Sequence, residues 1–228
     1  MATEGAFVVV NARKRENEMN QTVEEIVKNG GKSIGVMADV STEEGCKLLL
    51  ETTLKHRKKV DVLVNNAGIG IYTTLNSIDE KVIERQISTN FKSVLYCSKV
   101  FSSAISDGGE ILNVSSIAGV SPIVGLLVYG SMKAAVITLT RYLALEMAPR
   151  IRVNVLVPGF TKTKLGESMA SLLNLTEEQF AKRVSLMGKI LQPEDVAELA
   201  ASIVKIESLT GGIFLMDSGE SIKGSSIL

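Results

Sequence analysis

Along most of this chain, short β-branched runs alternate with longer amphipathic stretches, a periodicity that predicts strands alternating with helices. Phe7 to Val10 reads as a strand, and Thr22 to Lys28 as part of a helix ended by Asn29-Gly30-Gly31. Ser33 to Ala38 is the next strand and Thr42 to Lys55 the next helix, with Ser41 placed to cap it. Val60 to Val64 is almost continuously apolar, as a parallel strand buried on both faces would be. One long helix is expected over Asp79 to Ala104, a strand over Glu110 to Val114, and a helix over Val128 to Ala148 closed by Pro149. Arg152 to Val157 is a strand closed by Pro158-Gly159; helical segments follow at about 166–186 and 194–205, then a strand from Gly212 to Met216. No internal repeat or low-complexity tract interrupts the pattern. Strand–helix alternation at this spacing predicts an α/β fold: a doubly wound parallel sheet with helices on both faces, three layers deep.

The length of 228 residues fits one domain spanning 1–228, and 45% apolar content supplies a sizeable core. Net charge is zero, so nothing points to nucleic acid or to an anionic membrane. The basic runs at 13–15 and 55–59 have acidic neighbours and read as solvated surface. No apolar run approaches the ~18 residues of a membrane span, and no secretory signal is visible, so a cytoplasmic protein is expected. Cys46 and Cys97 read as free thiols of a reducing compartment. The single histidine, His56, sits in the charged 55–59 stretch. Ser-His-Asp catalysis would have to use it, and a His/Cys zinc site has too few ligands, so no metal is expected.

In parallel α/β sheets ligands bind beyond the carboxyl ends of the strands. There the chain places Asn11 to Arg15, Asn65-Asn66-Ala67-Gly68, Ser115-Ser116 and Pro158-Gly159. Small residues let a ligand approach the backbone, and Asn and Ser supply hydrogen bonds at an otherwise apolar rim. Tyr129 and Lys133, four apart on a helix, share a face. A free phenol has a pKa of about 10, and a fixed positive charge beside it favours the phenolate. The pair can therefore move a proton on and off a hydroxyl or carbonyl oxygen. Ser116 lies thirteen residues before the tyrosine.

Ala38-Asp39-Val40, Asn65-Asn66-Ala67-Gly68, Asn90, Ser116, Tyr129-x-x-x-Lys133, Pro158-Gly159-Phe160-Thr161-Lys162-Thr163, and a degenerate ending from Thr210-Gly211 to Asp217-Ser218-Gly219 occur in one order. In that order and spacing the chain resembles the short-chain dehydrogenase/reductase family, in particular 3-oxoacyl-acyl-carrier-protein reductases and bacterial glucose dehydrogenases. The resemblance implies a Rossmann-like fold and hydride transfer between a nicotinamide cofactor and a carbonyl or secondary alcohol. It implies Tyr129 as acid and base, Lys133 as the group lowering its pKa and bonding the nicotinamide ribose, and Ser116 as the holder of the substrate oxygen. Asn90 would hold a water linking Lys133 to solvent. Asp39 and Val40 would bracket adenine; Asn65, Ala67 and Gly68 would line the ribose side. Pro158, Gly159, Thr161 and Thr163 would meet the nicotinamide carboxamide or diphosphate. NAD-binding members place a carboxylate at the end of the second strand. Asn11 stands there instead, and Arg13 could clamp a 2′-phosphate, so NADP is favoured over NAD.

The family's first strand and its T-G-x-x-x-G-x-G turn are absent; Met1 to Ala6 matches the tail of the helix that normally follows. That turn binds pyrophosphate through backbone N–H groups and the helix dipole. The missing strand would lie between those at Val10 and Val64. Its loss would leave a slot about 9.6 Å wide, which a compact fold is not expected to tolerate unchanged. Three accounts fit this pattern: a chain that begins at an internal methionine of a longer protein, flanking strands that close up or borrow a strand, and a shortened paralogue without cofactor. Three functions stay open: a reductase of 3-oxoacyl-like ketones, a sugar dehydrogenase, and a non-catalytic scaffold. Substrate contacts are expected from 69–72, 121–127 and 163–188, where Leu165, Met169, Leu172, Leu173 and Met187 would form an apolar lid or an ordinary core helix. The resemblance also implies a homotetramer or homodimer, built on the helices around 79–104 and 128–148 and the last strand.

Overall fold

Among the described residues the β-branched and apolar runs form six strands, all in parallel pairings: β1 (Phe7–Ala12), β2 (Lys32–Met37), β3 (Val60–Asn65), β4 (Ile105–Val114), β5 (Ile151–Pro158) and β6 (Ile213–Met216). The computed structural model describes residues 1–163, 171 and 173–223. Between the strands run α1 (Glu16–Lys28), α2 (Glu43–His56), α3 (Glu80–Ile87), α4 (Ser93–Phe101), α5 (Leu127–Met147), α6 (Glu177–Val184) and α7 (Pro193–Lys205). Cys46 and Leu49 of α2, Cys97 and Phe101 of α4 and Leu143 of α5 cover one face of the sheet, over Ile111 and Val153. Ile203 and its α7 neighbours cover the other, over Leu112 and Leu156. The result is the expected three-layer α/β fold.

Helix α1 contains the Thr22 to Lys28 stretch and begins at Glu16; Met19 is its one buried residue, so the first turn carries little apolar signal, while Glu16 and Glu18 suit the positive end of the helix. Two helix features depart from expectation. Thr42, not Ser41, caps α2 by accepting from the Gly45 N–H at 3.1 Å, because the Ser41 hydroxyl already donates to Asp39 Oδ1 at 2.6 Å. The helix expected over 79–104 is split: Asp79 caps α3, and a π-helical turn, Ser88–Lys92, separates α3 from α4. Of the segment expected to be helical over 166–186, α6 is the helix found among the described residues; Leu165, Met169 and Leu172 lie outside them.

Buried polar groups tie the sheet to its helices. Asn65 and Asn113 are cross-strand partners. The Asn65 amide donates to Asn113 Oδ1 at 2.9 Å, the Asn113 amide to Thr140 Oγ1 at 2.9 Å, and Thr140 to the Val136 carbonyl at 2.8 Å. Glu110 is fully buried; burial pushes its carboxyl up, against the Asn154 amide and the Arg152 guanidinium, which lies 2.5 Å away. Arg152 also donates to the Val204 and Ile206 carbonyls, satisfying the end of α7.

The slot expected from the sequence persists. Strands β1 and β2 form one sheet and β3-β4-β5-β6 another, with no ladder between β1 and β3. A cavity of about 730 Å³ separates them. In place of the continuous burial predicted for the third strand, Val64 is 39% exposed toward it. The slot is tolerated because other contacts span it. Helices α2 and α4 pack together, with Lys99 2.9 Å from Glu43. Arg57 lies 4.0 Å over the Phe7 ring, His56 stacks on the same ring, and Lys205 pairs with Glu4.

Candidate active site

Strand β4 ends at Val114, and the two serines after it divide the work. Ser115 is buried and donates to the Lys133 carbonyl at 2.7 Å, which fixes α5 against the end of β4. Ser116 is half-buried; its oxygen accepts from the Ala118 N–H at 3.3 Å and its hydroxyl faces the cavity. Along α5, Tyr129, Lys133, Val136 and Thr140 form one buried stripe, which aims Tyr129 and Lys133 at the carboxyl ends of the strands. A cavity of about 570 Å³ opens there, lined by Ser116, Tyr129 and Lys133 among others.

The ammonium of Lys133 is 5.8 Å from the Tyr129 ring centre and donates to the Val114 carbonyl at 2.9 Å. Burial lowers the Lys133 pKa to about 8. Burial also raises the Tyr129 phenol above its ordinary value, and a hydrogen bond with Ser116 works against that rise. The charge of Lys133 therefore does not bring the tyrosine below its usual range in this structure, as the pairing alone had implied. Desolvation of the phenolate outweighs the Ser116 hydrogen bond. At neutral pH the tyrosine holds its proton, ready to donate it.

The Asn90 side chain, fully buried in the π turn, clamps the loop after β3: its oxygen accepts from the Ile69 N–H and its amide donates to the Ile69 carbonyl, both at 2.9 Å. Gly68 sits against both polar groups. A Cβ there would lie 3.0 Å from Asn90 Oδ1 and 3.3 Å from Lys133 Nζ, so only glycine lets the loop pass this close to the amine. The Asn65 side chain is spent inside the sheet, which leaves Asn66, Ala67 and Gly68 exposed at the rim.

At the ends of β1 and β2, Arg13 Nη1 lies 3.6 Å from Asp39 Oδ2, both partly exposed. Burial pushes the Asp39 carboxyl up, but the hydroxyl and N–H of Ser41, with Arg13, hold it below its usual value. Neither residue lines the cavity. Asn11 cannot read a ribose with its amide, which donates at 3.0 Å to both the Val36 and Ala38 carbonyls. Val40 and Ala67 line the slot between β1 and β3; Pro158, Gly159, Thr161 and Thr163 line the Tyr129 cavity. The same cavity is also lined by the apolar rings and chains of Tyr72, Ile123, Leu126 and Phe160. Loops 69–73 and 121–127 are joined by the Thr73 N–H donating to the Gly125 carbonyl at 2.8 Å. Leu173 packs beside Phe160 and Phe180, whereas Met187 is 70% exposed.

The sequence reading did not assign the Ser115 anchor or the Asn113–Thr140 bond. Asn113 within an apolar strand was the available signal, because a buried amide requires a partner. It also missed Glu220, whose carboxylate accepts from the Phe160 N–H at 2.8 Å. A Cβ on Gly159 would meet that carboxylate at 2.7 Å, so the glycine admits it.

Residues 1–221 match the family model described as enoyl-(acyl carrier protein) reductase. A 3-oxoacyl-(acyl-carrier-protein) reductase of Synechocystis sp. is 34% identical over 225 residues, covering 96% of this chain and 88% of the relative. Glucose 1-dehydrogenase 2 of Bacillus subtilis is 32% identical over 227 residues, covering 96% and 87%. Among solved structures, a short-chain dehydrogenase from Burkholderia cenocepacia in complex with NADP matches with a TM-score of 0.88 at 25% identity, covering 96% of this chain and 89% of that one.

Glu220 gives the site region a pH dependence. Burial first, and the nearby Asp217 charge second, raise its carboxyl to about 8 from an ordinary 4.5, against the Phe160 N–H bond. Between those values the folded chain holds a proton that the unfolded chain has released. The stability linked to this group is complete below about pH 4.5 and is lost as pH rises through about 8. Glu220→Gln keeps an acceptor for Phe160. Its melting temperature relative to the parent is expected to climb from about pH 5 to pH 8; a constant difference across that range is the contrary result.

Proposed function

Because the chain belongs to the short-chain dehydrogenase/reductase family, and is an oxidoreductase of that family, we propose that it transfers hydride between NADP(H) and a ketone or secondary alcohol, with Tyr129 as the acid–base group. The observation carrying this reading is the convergence of Ser116, Tyr129 and Lys133 on one cavity. The residues fit the two ends of such a cofactor. Lys133 has further N–H donors beyond the one given to Val114, Gly68 leaves room beside it, and Arg13 stands at the other end as a phosphate ligand.

When bound, NADP(H) supplies or accepts the hydride. Ser116 holds the substrate oxygen and Tyr129 gives it a proton. The Lys133 ammonium, still largely protonated at neutral pH with a pKa of about 8, offsets the phenolate left behind. Asn90 takes the place of a positioning residue behind Lys133, with a water relay as its further role. The raised phenol favours reduction near neutrality and oxidation at higher pH. The apolar wall of Tyr72, Ile123, Leu126 and Phe160 favours a 3-oxoacyl-thioester-like ketone over a sugar. The open slot between β1 and β3 favours one second reading, a scaffold that does not bind cofactor.

With NADPH and a 3-oxoacyl thioester, Tyr129→Phe is expected to slow turnover by about 10²–10⁴-fold while leaving cofactor affinity intact. Equal rates would overturn the mechanism, and no NADPH fluorescence change at millimolar cofactor would favour the scaffold. Arg13→Ala is expected to weaken NADPH about ten- to a hundredfold and NADH little, the loss of one charge-assisted contact; equal weakening of both would remove the phosphate assignment. We further propose a homodimer or homotetramer through α5 and β6, where Tyr142, Leu145, Ile213 and Leu215 are 61%, 80%, 46% and 47% exposed. Light scattering that returns a single monomer mass is the contrary outcome.

A further inference from the structure

Cys46 and Cys97 are the two cysteines of this sequence, 51 positions apart. They meet inside the fold. Cys46 lies in the first turn of α2 and Cys97 midway along α4, and their sulfurs are 3.2 Å apart where the two helices pack. Both are buried, at 0% and 4% exposure, in one apolar cluster with Leu49, Phe101 and Ile111. The ion pair of Glu43 with Lys99, at 2.9 Å, joins the same two helices beside them. We propose that Cys46 and Cys97 form an oxidative modification site: a dithiol that a peroxide converts to a disulfide, linking α2 to α4.

A buried thiol can serve simply as a small apolar filler. A filler needs no particular neighbour, whereas each sulfur here touches the one group of the chain that can complete a disulfide. The sulfurs of a disulfide are about 2.05 Å apart, so this pair has to close by about 1.2 Å. Rotation about the two Cα–Cβ bonds moves sulfurs on that scale. The two thiols also differ. The protonated Cys46 thiol donates to the Val40 carbonyl at 3.4 Å. As a thiolate it accepts from the Cys97 S–H, which lowers the Cys46 pKa against burial and the charges of Glu43, Asp39 and Glu44. The same bond, with burial, raises Cys97. Cys46 is therefore the attacking sulfur and Cys97 the resolving one.

The reaction has two steps. The Cys46 thiolate attacks one oxygen of hydrogen peroxide and the O–O bond breaks. Cys46 becomes a sulfenic acid, and the departing hydroxide takes up the proton that Cys46 released, leaving as water. The Cys97 sulfur then displaces the sulfenic hydroxyl. An S–S bond forms, the S–O bond breaks, and the Cys97 proton leaves with the hydroxyl as a second water. The two thiols lose two electrons in all, and one peroxide gains them. Burial excludes bulky oxidants; a small peroxide reaches the pair when α2 and α4 part locally.

The test treats the reduced 228-residue chain, folded, with hydrogen peroxide, then unfolds it in N-ethylmaleimide and maps its peptides by mass. A linked peptide pair is expected, joining Cys46 to Cys97 within one chain and lighter by two hydrogens, with both alkylation sites lost and both restored by dithiothreitol. The oxidised chain should melt about 5 °C or more above the reduced one, because the bond closes a long loop. With dimedone present during oxidation, Cys97→Ser should carry the adduct on Cys46, and Cys46→Ser should label about tenfold less. The mass result comes from the parent chain, so it stands if either variant fails to fold. Two alkylatable thiols after peroxide would overturn the proposal. So would oxygen added to either sulfur without a bond, disulfides formed only between chains, or a bond formed only after unfolding in urea. An oxidised chain melting below the reduced one would show that the bond does not fit the native packing, and equal dimedone labelling of the two variants would remove Cys46 as the attacking sulfur.

Discussion

A lysine ammonium held almost wholly out of water is the constraint around which this structure is arranged. Lys133 is 3% exposed and makes one described hydrogen bond, to the carbonyl that ends β4. A buried amine without support loses its proton or costs stability. Its surroundings therefore have to be fixed: Ser115 holds the helix that carries it, the Asn90 clamp holds the loop beside it, and Gly68 keeps that loop from displacing it. The sheet supports these contacts from beneath through the Asn65–Asn113–Thr140 chain, which joins β3, β4 and α5 without exposing a polar group.

Much of this was legible in the sequence because its signals are local. The alternation of apolar runs defines the strands, and the spacing from Ser116 through Tyr129 to Lys133 is a pattern on one turn and one helix. What was hidden depends on partners distant in the chain. Asn90 reaches Ile69, Ser115 reaches Lys133, and Glu220 reaches Phe160, pairs that periodicity does not reveal. The π turn was hidden for another reason: residues 88–92 sit inside a longer helical pattern with no Gly or Pro to mark a break. The persistence of the slot was misjudged because strand pairing was weighed without the helices, which hold the two sheets together across it.

The site and the slot also explain each other's position. The carboxyl ends of β3, β4 and β5 supply the proton-transfer groups and the nicotinamide end of the proposed site. The ends of β1 and β2 supply Arg13 and Asp39. Between them the edges of β1 and β3 face one another without a ladder. The proposed proton-transfer groups and the proposed phosphate contact thus lie on different parts of the sheet.

The division into two sheets has a mechanical consequence. In an unbroken parallel sheet, backbone ladders make the first and last strands open together. Here the β1–α1–β2 unit is joined to the rest by side-chain packing of α2 on α4 and by a few surface pairs such as Lys205 with Glu4. Such a unit can open as a separate cooperative block, at a lower free energy than the four-stranded sheet that carries Tyr129 and Lys133. The molecule then has a rigid half that carries Tyr129 and Lys133 and a looser half that can yield without disturbing them.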